Sequence, residues 1–311
     1  MQIYLPIAEI PVNIFLVLTL GLLAGFLAGM FGIGGGFLAT PFLIFIGVFP
    51  AVAVATSTNQ IISASISGLL AHIKKNNVDI KMGIFLVIGG LFGSTFGVSI
   101  FKLLQNAGHI DLVIALTYVI FLGTISLTML SDGFKNYIDR KFGMDWQSNH
   151  DEEIKFSWLI KKIEKLPFKT YFSKSEIYVS ILVPITLSFG IGILVSLMGV
   201  GGGFLMIPAM IYILRMPSQL VVGTSLFQIV FIASNATFLQ AITGSNVDIV
   251  LALLMIISSA FGAQIGSRVA YKFDANTTRS FLAILLLIIC CKMTFQLFSQ
   301  PDNIYSLEIS K

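Results

Sequence analysis

Residues Gly25–Pro41 read GFLAGMFGIGGGFLATP, and Gly192–Pro208 read GILVSLMGVGGGFLMIP. About half of these positions are identical at a constant offset. The echo continues along the chain. Thr56-Ser57-x-x-Gln60 returns as Thr224-Ser225-x-x-Gln228, and Asn77-Val78-Asp79-Ile80 as Asn246-Val247-Asp248-Ile249. Phe92-Gly93-x-x-x-Gly97 returns as Phe261-Gly262-x-x-x-Gly266. Long repeats that each hold a glycine-broken apolar segment point to a membrane transporter with its site between two halves.

Composition agrees with a membrane chain. Apolar residues make up 56% and charged residues 11%, against roughly 25% charged in soluble domains; mean hydropathy is +0.92. Apolar stretches near the roughly 20 residues that a bilayer requires occupy 12–30, 51–72, 82–104, 110–130, 177–199, 219–242, 249–271 and 280–299. Two shorter runs, 37–49 and 204–214, follow the triple glycines directly and read as half-helices or re-entrant segments. The expected fold is an all-α polytopic membrane protein of two homologous multi-helix repeats, inverted relative to each other. Membrane repeat 1 spans 1–131, a polar connecting loop 132–176, and membrane repeat 2 177–311. No Lys or Arg precedes Lys74, so the first apolar segment lacks the basic flank of a cleaved signal and is expected to stay.

Charge sets the orientation. If each repeat crosses an odd number of times, about 16 of the 19 Lys and Arg residues share one side, and the positive-inside rule places that side, with 132–176, in the cytoplasm. Within this loop Ile154, Trp158, Leu159, Ile163 and Leu166 alternate with Lys155, Lys161, Lys162 and Lys165. The pattern fits either a basic amphipathic helix on the membrane face or a solvated linker.

Two motifs carry the expected chemistry. Gly34, Gly35 and Gly36, with Gly201, Gly202 and Gly203, break apolar segments where a helix then starts. Such a start leaves unpaired N–H groups and a positive dipole end, which attract an anion. Thr56, Ser57 and Gln60, with Thr224, Ser225 and Gln228, offer hydroxyl and amide groups one helical turn apart. All twelve are expected to contact substrate; interhelical hydrogen bonding is the alternative for the second set. Asn59, Ser63 and Asn235 are candidates for the same lining. The spacings Gly21-x-x-x-Gly25-x-x-x-Gly29, Gly93-x-x-x-Gly97 and Gly262-x-x-x-Gly266 read as helix packing, and Asp79 and Asp248 as helix caps.

Other classes find little support. Cys290 and Cys291 are adjacent within an apolar helix and point to different faces, which suits neither a disulfide nor a metal. No metal or cofactor is expected. No basic face with interleaved aromatics suggests nucleic acid, and no H-E-x-x-H, paired aspartates or Ser/His arrangement sits at membrane depth, so an enzyme is not expected. Few ionisable residues lie deep in the spans, so no proton relay is visible. A passive anion channel, or a scaffold using the central loop, remains as an alternative to a carrier.

The run Gly29-Met30-Phe31-Gly32-Ile33-Gly34-Gly35-Gly36-Phe37-Leu38-Ala39-Thr40-Pro41, repeated from Ser196 to Pro208, resembles the TauE/SafE sulfite exporter family. Outside 132–176 the resemblance covers nearly the whole chain. It implies an integral inner-membrane protein built by duplication that exports sulfur-containing or organic anions, sulfite- or sulfonate-like. The expected partners are a small anionic solute and the lipid bilayer. Ser196, standing where the first copy has Gly29, departs from the pattern while keeping a small side chain.

Overall fold

In the computed structural model, residues 2–142, 167–244, 246–269 and 275–298 are described. The chain opens with a hairpin of β1 (Gln2–Tyr4) and β2 (Pro11–Asn13), followed by α1 (Ile14–Phe31), α2 (Gly36–Phe45), α3 (Pro50–Lys74), α4 (Ile80–Asn106) and α5 (Ile110–Phe142). A second hairpin, β3 (Lys169–Phe172) and β4 (Ile177–Ser180), precedes α6 (Leu182–Met198), α7 (Gly203–Tyr212), α8 (Ser218–Gly244), α9 (Ile249–Val269) and α10 (Ala275–Phe298). Five of these helices are long and apolar enough to cross a membrane: α1, α4, α5 through Thr128, α8 and α9.

Local chemistry explains the boundaries. Asn13 caps α1 by accepting from the Phe15 N–H at 3.0 Å. Pro50 opens α3, where its missing N–H costs nothing. Asp79 caps α4, its Oδ1 accepting from the Met82 N–H at 3.0 Å. Asp248 receives the Leu251 N–H at 3.1 Å at the start of α9. Both aspartates thus act as the caps expected of them.

The surface differs from that of a soluble protein, and the largely apolar interior holds a set of buried polar residues. Large apolar residues face outward, as at Phe92 (69% exposed) and Phe261 (62%), while Thr56, Ser57, Gln60, Thr224, Ser225 and Gln228 are fully buried. That arrangement suits a hydrocarbon solvent, which rewards internal polar pairing. The molecule is a multi-pass integral membrane protein.

The described residues fall into two compact units. The first contains both hairpins, α1–α4, the start of α5, and α6–α9; the second contains the rest of α5 and α10. In the second, the Cys290 Sγ lies 3.5 Å from the Val119 carbonyl, and both cysteines are free.

The first unit is packed through small residues. A Cβ on Gly25 or Gly29 of α1 would collide with the backbone of Ser259 or Ala263 on α9, and one on Gly262 or Gly266 with that of Leu22 or Phe26 on α1. Gly89, Gly93 and Gly97 of α4 meet Ile185, Phe189 and Ile193 of α6 in the same manner. These are the packing roles that the G-x-x-x-G spacing implies. In each pair the residue numbers rise together, so α1 runs parallel to α9 and α4 to α6. Ser63 and Ser67 donate to the Ile256 and Ala260 carbonyls, which makes α3 parallel to α9. Phe227 beside Gly83 and Asn235 bonded to Ser94 make α8 parallel to α4. Two sets of three parallel helices therefore meet along α3 and α8. There the direction reverses: Leu226 packs on Gly68 and Ile229 clusters with Ile61.

The short apolar runs are re-entrant within this bundle. The start of α3 lies beside Asp248, whose N–H donates to Thr56 Oγ1 at 3.2 Å. The start of α1 lies at the same end, because the hairpin leading into it donates from Ile7 and Ala8 to Asp248. So α1 enters the bundle and α2, about 15 Å long, brings the chain back. The same argument holds for α6 and α7, through Ser175 and Thr224 at Asp79.

Three expectations change in detail. The stretch expected to span from 177 begins as strand β4, and its helix starts at Leu182. The boundary between connecting loop and second repeat, at 176/177, falls inside the β3–β4 hairpin. Helix α5 extends through 132–142, into the stretch read as loop. The amphipathic segment Ile154–Leu166 lies outside the described residues.

Candidate functional site

The two glycine breaks meet each other. After α1 the chain passes through Gly32, Gly34 and Gly35 with φ of 71°, 89° and 75°; after α6 it passes through Gly199 and Gly201 with φ of 64° and 71°. These left-handed turns favour glycine. A Cβ on Gly34 would lie 3.8 Å from the Gly201 Cα, and one on Gly203 would lie 3.1 Å from the Gly32 carbonyl oxygen. Ile61 of α3 packs over Gly34, Gly36 and Gly201 together. The first side chains of the two half-helices, Phe37 and Phe204, stack with centroids 5.4 Å apart and planes 14° apart. The starts of α2 and α7 are thus neighbours, and both bring a positive dipole end to one place.

The symmetry of the sequence is not complete in the backbone. Gly202 has φ −48°, an ordinary helical value, where its counterpart Gly35 is left-handed. Helix α7 therefore has a helical N-cap residue where that of α2 is left-handed.

The Thr/Ser/Gln motifs divide into two kinds. The hydroxyls are engaged. Thr56 Oγ1 receives the Asp248 N–H at 3.2 Å, and Thr224 Oγ1 receives the Asp79 N–H at 3.0 Å while donating to the Leu220 carbonyl. Ser57 Oγ lies 2.6 Å from Thr40 Oγ1 and 3.5 Å from the Gly199 carbonyl, which ties α3 to α2 and to the second break. Ser225 donates to the Val222 carbonyl. The amides differ: Gln60 and Gln228 are fully buried, and neither the Oε1 nor the Nε2 of either has a hydrogen-bond partner. Burying an amide without a partner costs about 1–3 kcal/mol by mutational measures. Two such groups stand at equivalent positions, each next in sequence to an isoleucine that packs on the breaks; Ser65 Oγ, on the same helix as Gln60, is also buried without a partner.

Of the further candidates, Asn235 Nδ2 bonds Ser94 Oγ at 2.8 Å. Asn59 and Ser63 line an open groove of about 460 Å³ between α3 and α9, together with Ser67 and Gln264. The corresponding positions on α8 are Phe227 and Phe231, whose rings lie 5.1 Å apart.

Sequence reading missed the hairpins. Asp248 Oδ2 accepts from the Ile7 and Ala8 N–H groups at 2.9 and 3.3 Å. Asp79 Oδ2 accepts from Ser175 Oγ at 2.5 Å. Each aspartate therefore joins a helix start, a threonine of the other half and a hairpin tip. A signal was present: Ala8-Glu9-Ile10 returns as Ser175-Glu176-Ile177, and both glutamates have φ 54°. Among the described residues, no group of three His, Cys, Asp or Glu could hold a metal.

Opposed broken helices around buried polar groups, in a polytopic bundle, define a membrane transporter of a small solute. The profile of the family described as "Sulfite exporter TauE/SafE" matches residues 17–293, and the chain belongs to that family. Two Bacillus subtilis proteins are similar over nearly their whole length. "Probable membrane transporter protein YunE" is 28% identical, with 90% of this chain and 97% of that one covered. "Probable membrane transporter protein YjnA" is 26% identical, with 88% and 96% covered. "Sulfite exporter TauE/SafE family protein 3" of Arabidopsis thaliana is 29% identical over 35% of this chain and 23% of its own. No solved structure matched the chain.

Proposed function

We propose that this protein is a secondary transporter that exports a small sulfur-containing or organic anion, sulfite- or sulfonate-like, across the cell inner membrane. The observation that carries the site is the pair of buried, unpartnered amides, Gln60 and Gln228, each next in sequence to an isoleucine (Ile61, Ile229) that packs on the glycine breaks. The N–H groups at Gly34–Gly36 and Gly201–Gly203 and the two amides hold the anion. Thr56, Ser57, Thr224 and Ser225 complete the lining and fix α3 and α8.

Two parallel triplets of opposite direction support inverted repeats and alternating access between them. Each end of the first unit is closed by one clasp: hairpin tip, aspartate and threonine. Opening to one side releases one clasp while the other holds. The end bearing Lys74, Lys75, Lys81 and Arg215, with hairpin residues Lys169 and Lys174, is cytoplasmic by the positive-inside rule.

The test is flux of sulfite, sulfate and a two-carbon sulfonate into proteoliposomes, for the native protein, Gln60→Leu and Gln228→Leu. Removing an unpaired buried amide leaves stability equal or higher, while saturable flux is lost. Leucine variants that still transport would overturn the site. Absence of counterflow would replace the carrier with a channel.

A further inference from the structure

The site's charge, rather than its shape, narrows the substrate further. Helices α1, α2, α6, α7 and α8, which build the meeting point with α3, contain no Asp, Glu, Lys, Arg or His. Their one titratable side chain is the exposed Tyr212 at the end of α7. On α3 the titratable residues are His72 and Lys74, at its last turn; His72 is about 18 Å along the helix from Gln60. On α4 and α9 the basic residues Lys81, Lys102 and Arg268 lie near the helix ends. Among the described residues, the buried Asp, Glu, Lys, Arg and His side chains are two acids, Asp79 and Asp248. They stand at the helix starts that Thr56 and Thr224 receive, one turn from Gln60 and Gln228.

We infer, resting on the transporter reading above, that the site takes a singly charged oxyanion that carries its own O–H or N–H donor, and excludes dianions. Two physical reasons combine. The Born cost of removing an ion from water grows with the square of its charge, so a dianion costs about four times a monoanion of the same size. Helix starts supply only about half a charge each, which suits one negative charge and falls short of two. The second reason is hydrogen-bond type. A glutamine amide presents two donors and a carbonyl acceptor. A fully ionised oxyanion only accepts, and leaves both Oε1 atoms unpaired, whereas a protonated one donates to one of them. A proton then crosses on the substrate, and flux follows pH without any titrating relay in the protein.

Sulfite discriminates between the forms, since its second ionisation falls near neutrality, and sulfate is a dianion throughout. The experiment is initial flux of radiolabelled sulfite and sulfate into proteoliposomes over a pH series across neutrality, at constant total anion, with protein-free vesicles correcting for passive leakage. The expected result is sulfite flux that falls with rising pH in step with the hydrogensulfite fraction. Sulfate flux should be at least about a hundredfold slower. Gln228→Glu, which adds a negative charge, should lose flux at neutral pH and regain it in acid. Sulfite flux that rises with pH, or sulfate carried at a similar rate, would overturn the inference and leave the transporter reading standing. Folded protein that carries neither anion nor the two-carbon sulfonate would remove the sulfur-anion reading, and this inference with it.

Discussion

Gly35 and Gly202 occupy matching places in the repeated motif, yet alanine should be tolerated at one and not at the other. At Gly35 the backbone has φ 75°, and a Cβ would lie 2.5 Å from the Ala24 carbonyl oxygen and 2.9 Å from the Ala28 Cβ. A left-handed conformation costs a non-glycine residue about 1–2 kcal/mol. Collision with a helix backbone that cannot rotate away adds about 1–3 kcal/mol. Gly35→Ala should therefore destabilise by about 2–5 kcal/mol. At Gly202 the conformation is already helical, and the near atom is Cγ2 of the Ile191 side chain. Gly202→Ala should cost about 0–2 kcal/mol, because helix propensity returns up to about 1 kcal/mol of the overpacking cost. Thermal unfolding of the two variants in the same detergent should separate them by roughly 5 °C, taking about 2 °C per kcal/mol for a large chain. Gly202→Ala should also retain flux. Equal midpoints, or a lower one for Gly202→Ala, would show that motif position rather than local φ and neighbours sets the cost.

Other outcomes follow from the clasps. Asp248→Ala removes a helix cap and two hydrogen bonds to the β1–β2 tip, and should cost about 2–4 kcal/mol; amide exchange at residues 2–13 should quicken, and unchanged exchange there would deny the clasp. Thr224→Val leaves the buried Asp79 N–H without its acceptor and should cost about 1–3 kcal/mol. Thr224→Ser keeps the oxygen and should restore most of that stability; a serine variant as unstable as valine would assign Thr224 to packing alone.

Much of the architecture was legible in the sequence for a simple reason. A bilayer demands long apolar helices, and close helix packing demands small residues at four-residue spacing. Gly25, Gly29, Gly93 and Gly262 announced their contacts because only one side-chain size fits there. The candidate site was legible by type but not by role. Thr56 and Gln60 sit one turn apart in one motif, yet the threonine hydroxyl receives the Asp248 N–H while the glutamine amide is left unbonded. The distinction depends on residues almost two hundred positions away. The hairpins escaped notice because a short strand pair has no composition to set it apart from a polar linker, although Ala8-Glu9-Ile10 and Ser175-Glu176-Ile177 repeat.

The sequence by itself determined the membrane class, the repeated motifs, the places where helices break and the residues small enough to pack. Tertiary structure alone decided that each break turns back into the bundle and that the two breaks adjoin. It also decided that Asp79 and Asp248 fasten each half to the other, and that the amides of Gln60 and Gln228 lack partners while the hydroxyls of Thr56 and Thr224 are engaged. Local patterns record what a residue can tolerate in its own helix. Which polar atom is satisfied, and by what, is fixed only when distant helices are brought within hydrogen-bond reach.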